Sequence, residues 1–579
     1  MRRLYAGALG IALLTAVFAA AAAADSEKKE GFVTSQPSML TMAAGLPAAV
    51  PIITVGDELP NGYRFEAIPD GLSVFGASSG AQEEGDTPGG GARFDLFVNH
   101  ETSTVAFRYG LPTPTIVNSE NDFDNSQLSR LTIGTDLEVL DGEFVIASSA
   151  GFHRFCSNYI VSGPEGFSRP VLFTNEEATD WVDRDGQWLT TNPANTPGTE
   201  QLGLVVAYDI KNGTYKAIYG MGRHNHENSV GLQRYGHPVV LSGDDTFAAP
   251  SSQLYMYTAP NVDALFADTY SPADQAAYSR TNQRLWAFKA NGSDNDYGDL
   301  TPGEVISGSF IPVPENVAKG DQTGLETWSN THNVFQFIRV EDIAPDRNDP
   351  NVVYFADTGE PRAVADAGTT RLRRGSTSDG PYPNGRIFKM VLDKKDPTKV
   401  VALSVLIDAD SVAGAPVYYA ANANYPARPE AWRGVMHNPD NIETTEDSLL
   451  IQEDPGSHSN RAGETTARIW LFDLSSPAGP SNPRVVASVD QSADGGPTDK
   501  LATQTTAASP AGLPGSWETS GIVDASSVLG KGWFLTNVQA HTLWIDTAPG
   551  PDHLQPGNGP DWTYKREGGQ LLAFHIPGA

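Results

Sequence analysis

The chain has 579 residues, and its 70 acidic side chains outnumber 39 basic ones to give a formal net charge of −31. That balance excludes nucleic acid and anionic membrane surfaces as partners, because both repel it, while it suits cation binding or plain solubility. A single cysteine, Cys156, excludes an internal disulfide, so an exported chain of this kind must draw its stability from an apolar core or from bound metal.

At the N-terminus, basic Arg2-Arg3 lead into an apolar run from Leu9 to Phe18 and an alanine tract ending Ala22-Ala23-Ala24. This reads as a secretory signal peptide over residues 1–24, cut after Ala24, and implies a periplasmic or secreted product. No later segment reaches the roughly 20 uninterrupted apolar residues of a membrane-spanning helix. Residues 25–49 read as an N-terminal arm, and residues 50–579 as one domain.

Turn formers are dense, with 57 Gly and 41 Pro, and helical periodicity is scarce. The best helix signal begins at Ser271-Pro272 and runs through Ala277. Three polar, glycine-rich stretches, 76–92, 366–384 and 492–515, read as surface loops. The rest reads as short strands that recur.

Six segments carry an aromatic strand: Leu131–Ile133, Val206–Asp209, Leu285–Phe288, Ile387–Met390, Ile469–Asp473 and Leu571–Phe574. Six more are apolar strands ending in polar clusters: Leu96–Glu101, Val171–Glu177, Val239–Asp245, Val352–Asp357, Leu449–Asp454 and Phe534–Gln539. A third, polar element precedes five of these: Arg154–Ser157, His224–Asn228, Arg339–Asp342, His437–Asn441 and Trp517–Thr519. Six sequential units of three or more strands predict an all-β six-bladed β-propeller with long loop insertions, whose closure protects strand edges. Two stacked β-sandwiches are the alternative.

In a propeller, equivalent strand ends converge on one axis. The repeats therefore predict a single site holding Cys156, Glu176, Glu177, His226, Glu227, Glu341, Asp440, Glu453 and Glu518, with Glu101 and Asp245 as further candidates. Carboxylates this close repel one another unless cations or protons intervene, and hard divalent ions bound by oxygen are the simplest remedy. A thiolate among them favours iron, zinc or another sulfur-accepting ion for at least one position.

The ordered series Asn99-His100-Glu101, Cys156-Ser157, Glu176-Glu177, His226-Glu227-Asn228, Arg339-Val340-Glu341, Pro439-Asp440-Asn441, Glu453-Asp454, Glu518 and Asn537-Val538-Gln539 resembles the PhoX family of bacterial alkaline phosphatases over about residues 90–545. The resemblance implies a six-bladed propeller hydrolysing small phosphomonoesters at a site with two irons and several calcium ions, a cysteine on iron, and an arginine on the substrate phosphate. For that arginine the sequence offers Arg154, Arg223 and Arg386. The same resemblance carries the ligand role most directly to Cys156, Glu227, Glu341 and Glu453. The segment Arg169–Asn175 departs from the tryptophan- and threonine-rich stretch of better-known members. A monomer is expected. A calcium-dependent propeller hydrolase of lactonase type and a non-catalytic, metal-stabilised binding propeller are the competing readings.

Overall fold

The computed structural model describes residues 31–76, 93–101, 107–108, 126–183, 187–189, 199–246, 252–268, 284–293, 295–365, 371–375, 380–411, 435–455, 466–476, 483–491, 517–545 and 564–579. The signal peptide read at 1–24, the helix read from Ser271 to Ala277, the loop at 492–515 and nearly all of the loop at 76–92 lie outside these residues.

The fold is mostly β, and the longest described helix, Gln322–Thr331, has 10 residues. No described helix is long and apolar enough to cross a membrane. Apart from Phe107–Arg108, a small sheet of Trp181–Asp183, Gln187–Leu189 and Thr199–Gln201, and the pair Ala363–Ala365 and Leu372–Arg374, the described strands form six successive antiparallel runs. The first run comprises Pro69–Gly76, Arg93–His100, Gln127–Gly134 and Val139–Ile146; the second comprises Phe155–Val161, Val171–Glu176, Val205–Asp209 and Thr214–Ile218. The third run is His226–Gly231, Val239–Asp244, Leu254–Thr258, Arg284–Ala290 and Ile306–Pro312, and the fourth is Val340–Pro345, Val352–Asp357, Arg386–Leu392 and Lys399–Asp408. These two pair through Ile306–Pro312 and Lys399–Asp408 into one nine-stranded sheet whose end strands pack against each other.

The fifth run, Pro439–Thr444, Ser448–Glu453, Arg468–Asp473 and Arg484–Val489, takes Leu40–Met42 as its outer strand. The sixth, Glu518–Asp524, Trp533–Ile545 and Tyr564–His575, takes Val50–Thr54. Leu40–Met42 lies within the segment read as an arm, and both Met39 and Leu40 are buried. The first strand of each run packs beside the first strand of the next, and that of the sixth beside that of the first.

The second strands explain this arrangement, because they read as unbroken apolar stretches and successive side chains point to opposite faces. Leu449 and Ile451 pack with Tyr354 and Ile387 of the fourth run, while Leu450 between them packs with Phe534 and Leu572 of the sixth. Phe97 faces Leu172 and Val206 of the second run, whereas Leu96 and Val98 face Leu535 and Leu571 of the sixth. Val240 meets Phe173 of the second run, and Val239 and Leu241 meet Phe355 and Phe388 of the fourth. Six apolar layers thus alternate with six runs. Each fully buried Leu, Ile, Val or Phe in them is worth about 1.5–3 kcal/mol over an exposed one.

Candidate metal centre

Each of the first five runs opens with the same irregularity. Its first two strands pair once, at Pro69–His100, Phe155–Glu176, His226–Asp244, Val340–Asp357 or Pro439–Glu453, and the ladder then skips before resuming. Two residues of the first strand oppose one of the second, which is a β-bulge, and a bulge re-aims side chains. The first bulged residues are Asp70, Cys156, Glu227, Glu341 and Asp440. The second are Gly71, Ser157, Asn228, Asp342 and Asn441.

A repeated backbone bond fixes a further position. The residue before each pair (Ile68, Arg154, Asn225, Arg339 or Asn438) accepts the N–H of the residue just past the second strand (Glu101, Glu177, Asp245, Thr358 or Asp454) at 2.9 to 3.0 Å. Arg154 and Asn438 reach this geometry with φ of 49° and 51°. Asparagines support the bulges from neighbouring runs. Asn99 Nδ2 donates to the Cys156 carbonyl and Asn537 Nδ2 to that of Asp70, so these displaced carbonyls keep partners. Gly243 allows the third run to approach the fourth, since a Cβ there would lie 2.5 Å from the Glu341 carbonyl oxygen.

The two kinds of position interleave to form four linked groups: Asp70, Glu101 and Cys156; Cys156, Glu177 and Glu227; Glu227, Glu341 and Asp440; and Asp440, Asp454 and Glu518. Within each group the ligand-capable atoms lie within 4.8 Å of one another. Cys156, Glu227 and Asp440 each belong to two groups. Glu518, from the sixth run, sits one position earlier on its strand than the other first-strand members and pairs with Gln539.

Burial raises the Cys156 thiol well above its usual range, and Asp70, Glu227, Glu177 and Glu101 push it further. Burial likewise raises Glu227, Glu341, Asp440 and Glu518, with neighbouring carboxylates adding to it. Glu177 is raised by burial against the opposing charge of Arg154. Burial and mutual repulsion together shift these acids toward their protonated forms. Cys156 Sγ donates to Asp70 Oδ2 at 2.9 Å, and Glu518 shares a hydrogen bond with Asp454. Asp440 Oδ1 is buried with no hydrogen-bond partner among the described residues. Oxygen donors in this number, one orphaned, fit hard cations, and the thiol fits a softer one in the groups it belongs to.

The structure brings six of the nine expected ligands together: Cys156, Glu177, Glu227, Glu341, Asp440 and Glu518. Glu176, His226 and Glu453 stand apart, each one residue from a member of the row. On a strand, a one-residue step points the side chain to the other face. Glu176 accepts N–H bonds from His153 and Leu204, both at 3.2 Å. Glu453 accepts from His437 N at 2.8 Å, from Arg468 Nε and Nη2 at 2.8 Å each, and from Trp470 Nε1 at 2.9 Å. His226 spends both ring nitrogens, on Ser242 Oγ at 2.7 Å and the Gly222 carbonyl at 3.2 Å, and burial holds its pKa down at about 3. Of the further candidates, Glu101 joins the row, while Asp245 is held by Arg339. Asp70 and Asp454, which the sequence pattern does not mark as ligands, complete the row. Pro69-Asp70 repeats Pro439-Asp440, and Asp454 follows Glu453 as Glu177 follows Glu176.

Among the candidate arginines, Arg386 is committed to the Tyr297 and Leu300 carbonyls at 2.8 and 3.0 Å and to Asp408 at 3.1 Å, with its guanidinium over the Tyr297 ring. Arg223 binds the Gln201 carbonyl and Glu200, the latter at 2.7 Å. Arg154 alone of the three lies at the row. Burial disfavours its charge, but Glu177, Glu101 and Asp180 outweigh that and raise its pKa. A second cation joins it. Arg339 is forked onto Asp245 at 2.6 Å through both Nε and Nη2 and lies 3.2 Å from Glu341. Arg154, Glu177 and Asp440 are only half-buried, which gives the row a side open to solvent.

Behind the row, the second bulged residues face a cavity of about 270 Å³ at the other end of the inner strands, together with Ser73, Tyr159, Arg347 and Glu443. No family model matches the chain, and no curated relative does.

Proposed function

We propose that this chain is an exported, metal-dependent phosphomonoester hydrolase of the PhoX kind. In this reading the six runs are the blades of a propeller and the row lies across its axis. The observation that carries it is the row itself: eight carboxyl groups and one thiol in four overlapping groups, with Arg154 and Arg339 beside them. Asp70, Glu101, Cys156, Glu177, Glu227, Glu341, Asp440, Asp454 and Glu518 would hold the ions, calcium on the all-oxygen groups and iron where Cys156 contributes. Bound cations there would supply Lewis acidity, neutralising phosphoryl charge and acidifying water at neutral pH.

The chain's own residues divide the remaining work. Arg154, half-buried at the open side, offers paired N–H donors to a phosphate, a geometry that planar guanidinium suits. Arg339 reduces the negative charge that a phosphate dianion would meet among the acids, while its fork onto Asp245 holds it in place. A lactonase-type site needs one calcium and a few carboxylates, and four linked groups favour the multinuclear reading over it.

The deciding experiment is elemental analysis of purified protein, followed by assay against an aryl phosphate. Iron and calcium together with turnover would support the reading. Protein that holds neither metal, and hydrolyses no aryl phosphate after reconstitution with both, would sink it.

A further inference from the structure

The second bulged residues form a belt under the row, and one of them crosses it. Asn441, on the fifth run, donates from Nδ2 to Ser157 Oγ at 3.0 Å, although Ser157 belongs to the second run, which is not a neighbour of the fifth in the ring. Ser157 in turn donates to Glu227 Oε1 at 2.6 Å. A hydroxyl has one proton, so Ser157 must accept from Asn441 in order to donate to Glu227.

The other end of the same amide is equally constrained. Asn441 Oδ1 accepts from the Gly521 N–H at 3.1 Å, and a backbone N–H can only donate, which fixes which way the amide points. Ser520 Oγ, 3.2 Å from the same oxygen, has one proton to give to either Asn441 Oδ1 or Asp70 Oδ1. Asp70 is the acceptor for Cys156. Asn441 is itself buried, follows Asp440 directly, and no smaller or single-function side chain could serve both partners.

Resting on the metal-site reading above, we infer that Asn441 is a positioning residue for the whole row. It acts through Ser157 on Glu227, which two groups share, and it competes with Asp70, at the end of the row, for the single proton of Ser520. Orienting partners of this kind typically change metal affinity by 10- to 100-fold.

The test uses the full chain, stripped with chelator, and reads calcium bound per chain by equilibrium dialysis and melting temperature with chelator or with calcium. Asn441→Ala, Asn441→Asp and Ser157→Ala are compared with the parent chain. Asn441→Asp keeps the acceptor for Gly521 but withdraws the donor to Ser157, whose proton then turns away from Glu227. Each variant is expected to lose at least about tenfold in calcium affinity. The calcium-induced rise in melting temperature shrinks, while the chelated melting temperature changes much less. Equal lowering of the melting temperature with and without calcium would mark Asn441 as merely structural and overturn the inference, as would parent-like calcium binding by Ser157→Ala. Ser157→Ala, the mildest change, carries the test if Asn441→Ala does not fold. A parent chain that binds neither calcium nor iron instead overturns the metal reading itself, and this inference with it.

Discussion

Cys156 Sγ on the second run donates to Asp70 Oδ2 on the first at 2.9 Å, with the thiol held protonated by burial and by the acids around it. Cation binding would reverse this state, since a metal takes thiolate and displaces the proton. Cys156→Ser keeps a donor for Asp70 but removes the sulfur. The variant is expected to retain calcium-dependent stabilisation, to lose its iron, and to lose aryl phosphatase activity by more than about 100-fold, beyond what orienting partners usually cost. Elemental analysis beside a rate measurement checks this, and an iron-free variant with parental turnover would remove sulfur from the mechanism.

The pH dependence follows from the same acids. Glu227, Glu341, Asp440 and Glu518 are raised first by burial and then by their neighbours, whereas in the unfolded chain carboxyls titrate near 4. Above that value the folded, metal-free chain retains protons on these groups that the unfolded chain has released. The contribution of these four groups to stability is therefore greatest at low pH and falls as pH rises. Cations replace those protons, so their effect grows with pH. In chelator the melting temperature should drop as pH rises above about 4, and the gain from calcium should widen over the same range. A chelated chain that grows more stable across that range would mean the acids are ionised without cations.

Much of this arrangement was legible in the chain itself. All six apolar segments that end in polar clusters are strands, each the second of its run, because a strand buried on both faces leaves an unbroken apolar run. Five of the six aromatic segments are third strands, the exception being Leu285–Phe288, which is pushed to fourth place by Leu254–Thr258. What could not be read was which residue of each polar cluster faces the row. A bulge breaks the two-residue alternation on which such a reading depends, and nothing local in Glu176-Glu177 or Glu453-Asp454 says where the break falls. Asp70 does not stand out in the sequence, because the short Pro69-Asp70 is the only local sign that it is the counterpart of Pro439-Asp440. The sequence shows Arg339 as a neighbour of Glu341 but not as a charge at the row, since its partner Asp245 lies 94 residues away.

The one-residue distinction can be tested directly. Glu176→Gln removes an acceptor from one of two backbone N–H groups, His153 or Leu204, and should cost about 1–3 kcal/mol of stability whether or not metal is present. Glu177→Gln removes an acid from a crowd of acids. Its melting temperature in chelator should match or exceed the parent's, while calcium binding weakens by roughly tenfold or more. The reverse pattern, with Glu176→Gln losing metal and Glu177→Gln losing stability, would place the row on the wrong face of the strand.

Arg339 poses the last question, because it is tied to the fold and to the proposed chemistry at once. Its fork onto Asp245 is buried, and Arg339→Met leaves that carboxylate without its partner, a change that costs about 3–5 kcal/mol where such pairs are broken. Asp245→Asn removes the stranded charge, so the double variant Arg339→Met/Asp245→Asn should recover most of the lost stability. If Arg339 also counters the charge of a bound phosphate, the recovered protein remains poor at turnover: kcat/KM for an aryl phosphate stays depressed in the double variant. Arg154→Met, at the half-buried side of the row, should lower kcat/KM as well, with a smaller effect on melting. Thermal melts and steady-state rates on the two single arginine variants and the double separate these roles. A double variant with parental turnover assigns Arg339 to the fold alone and leaves the phosphate to Arg154.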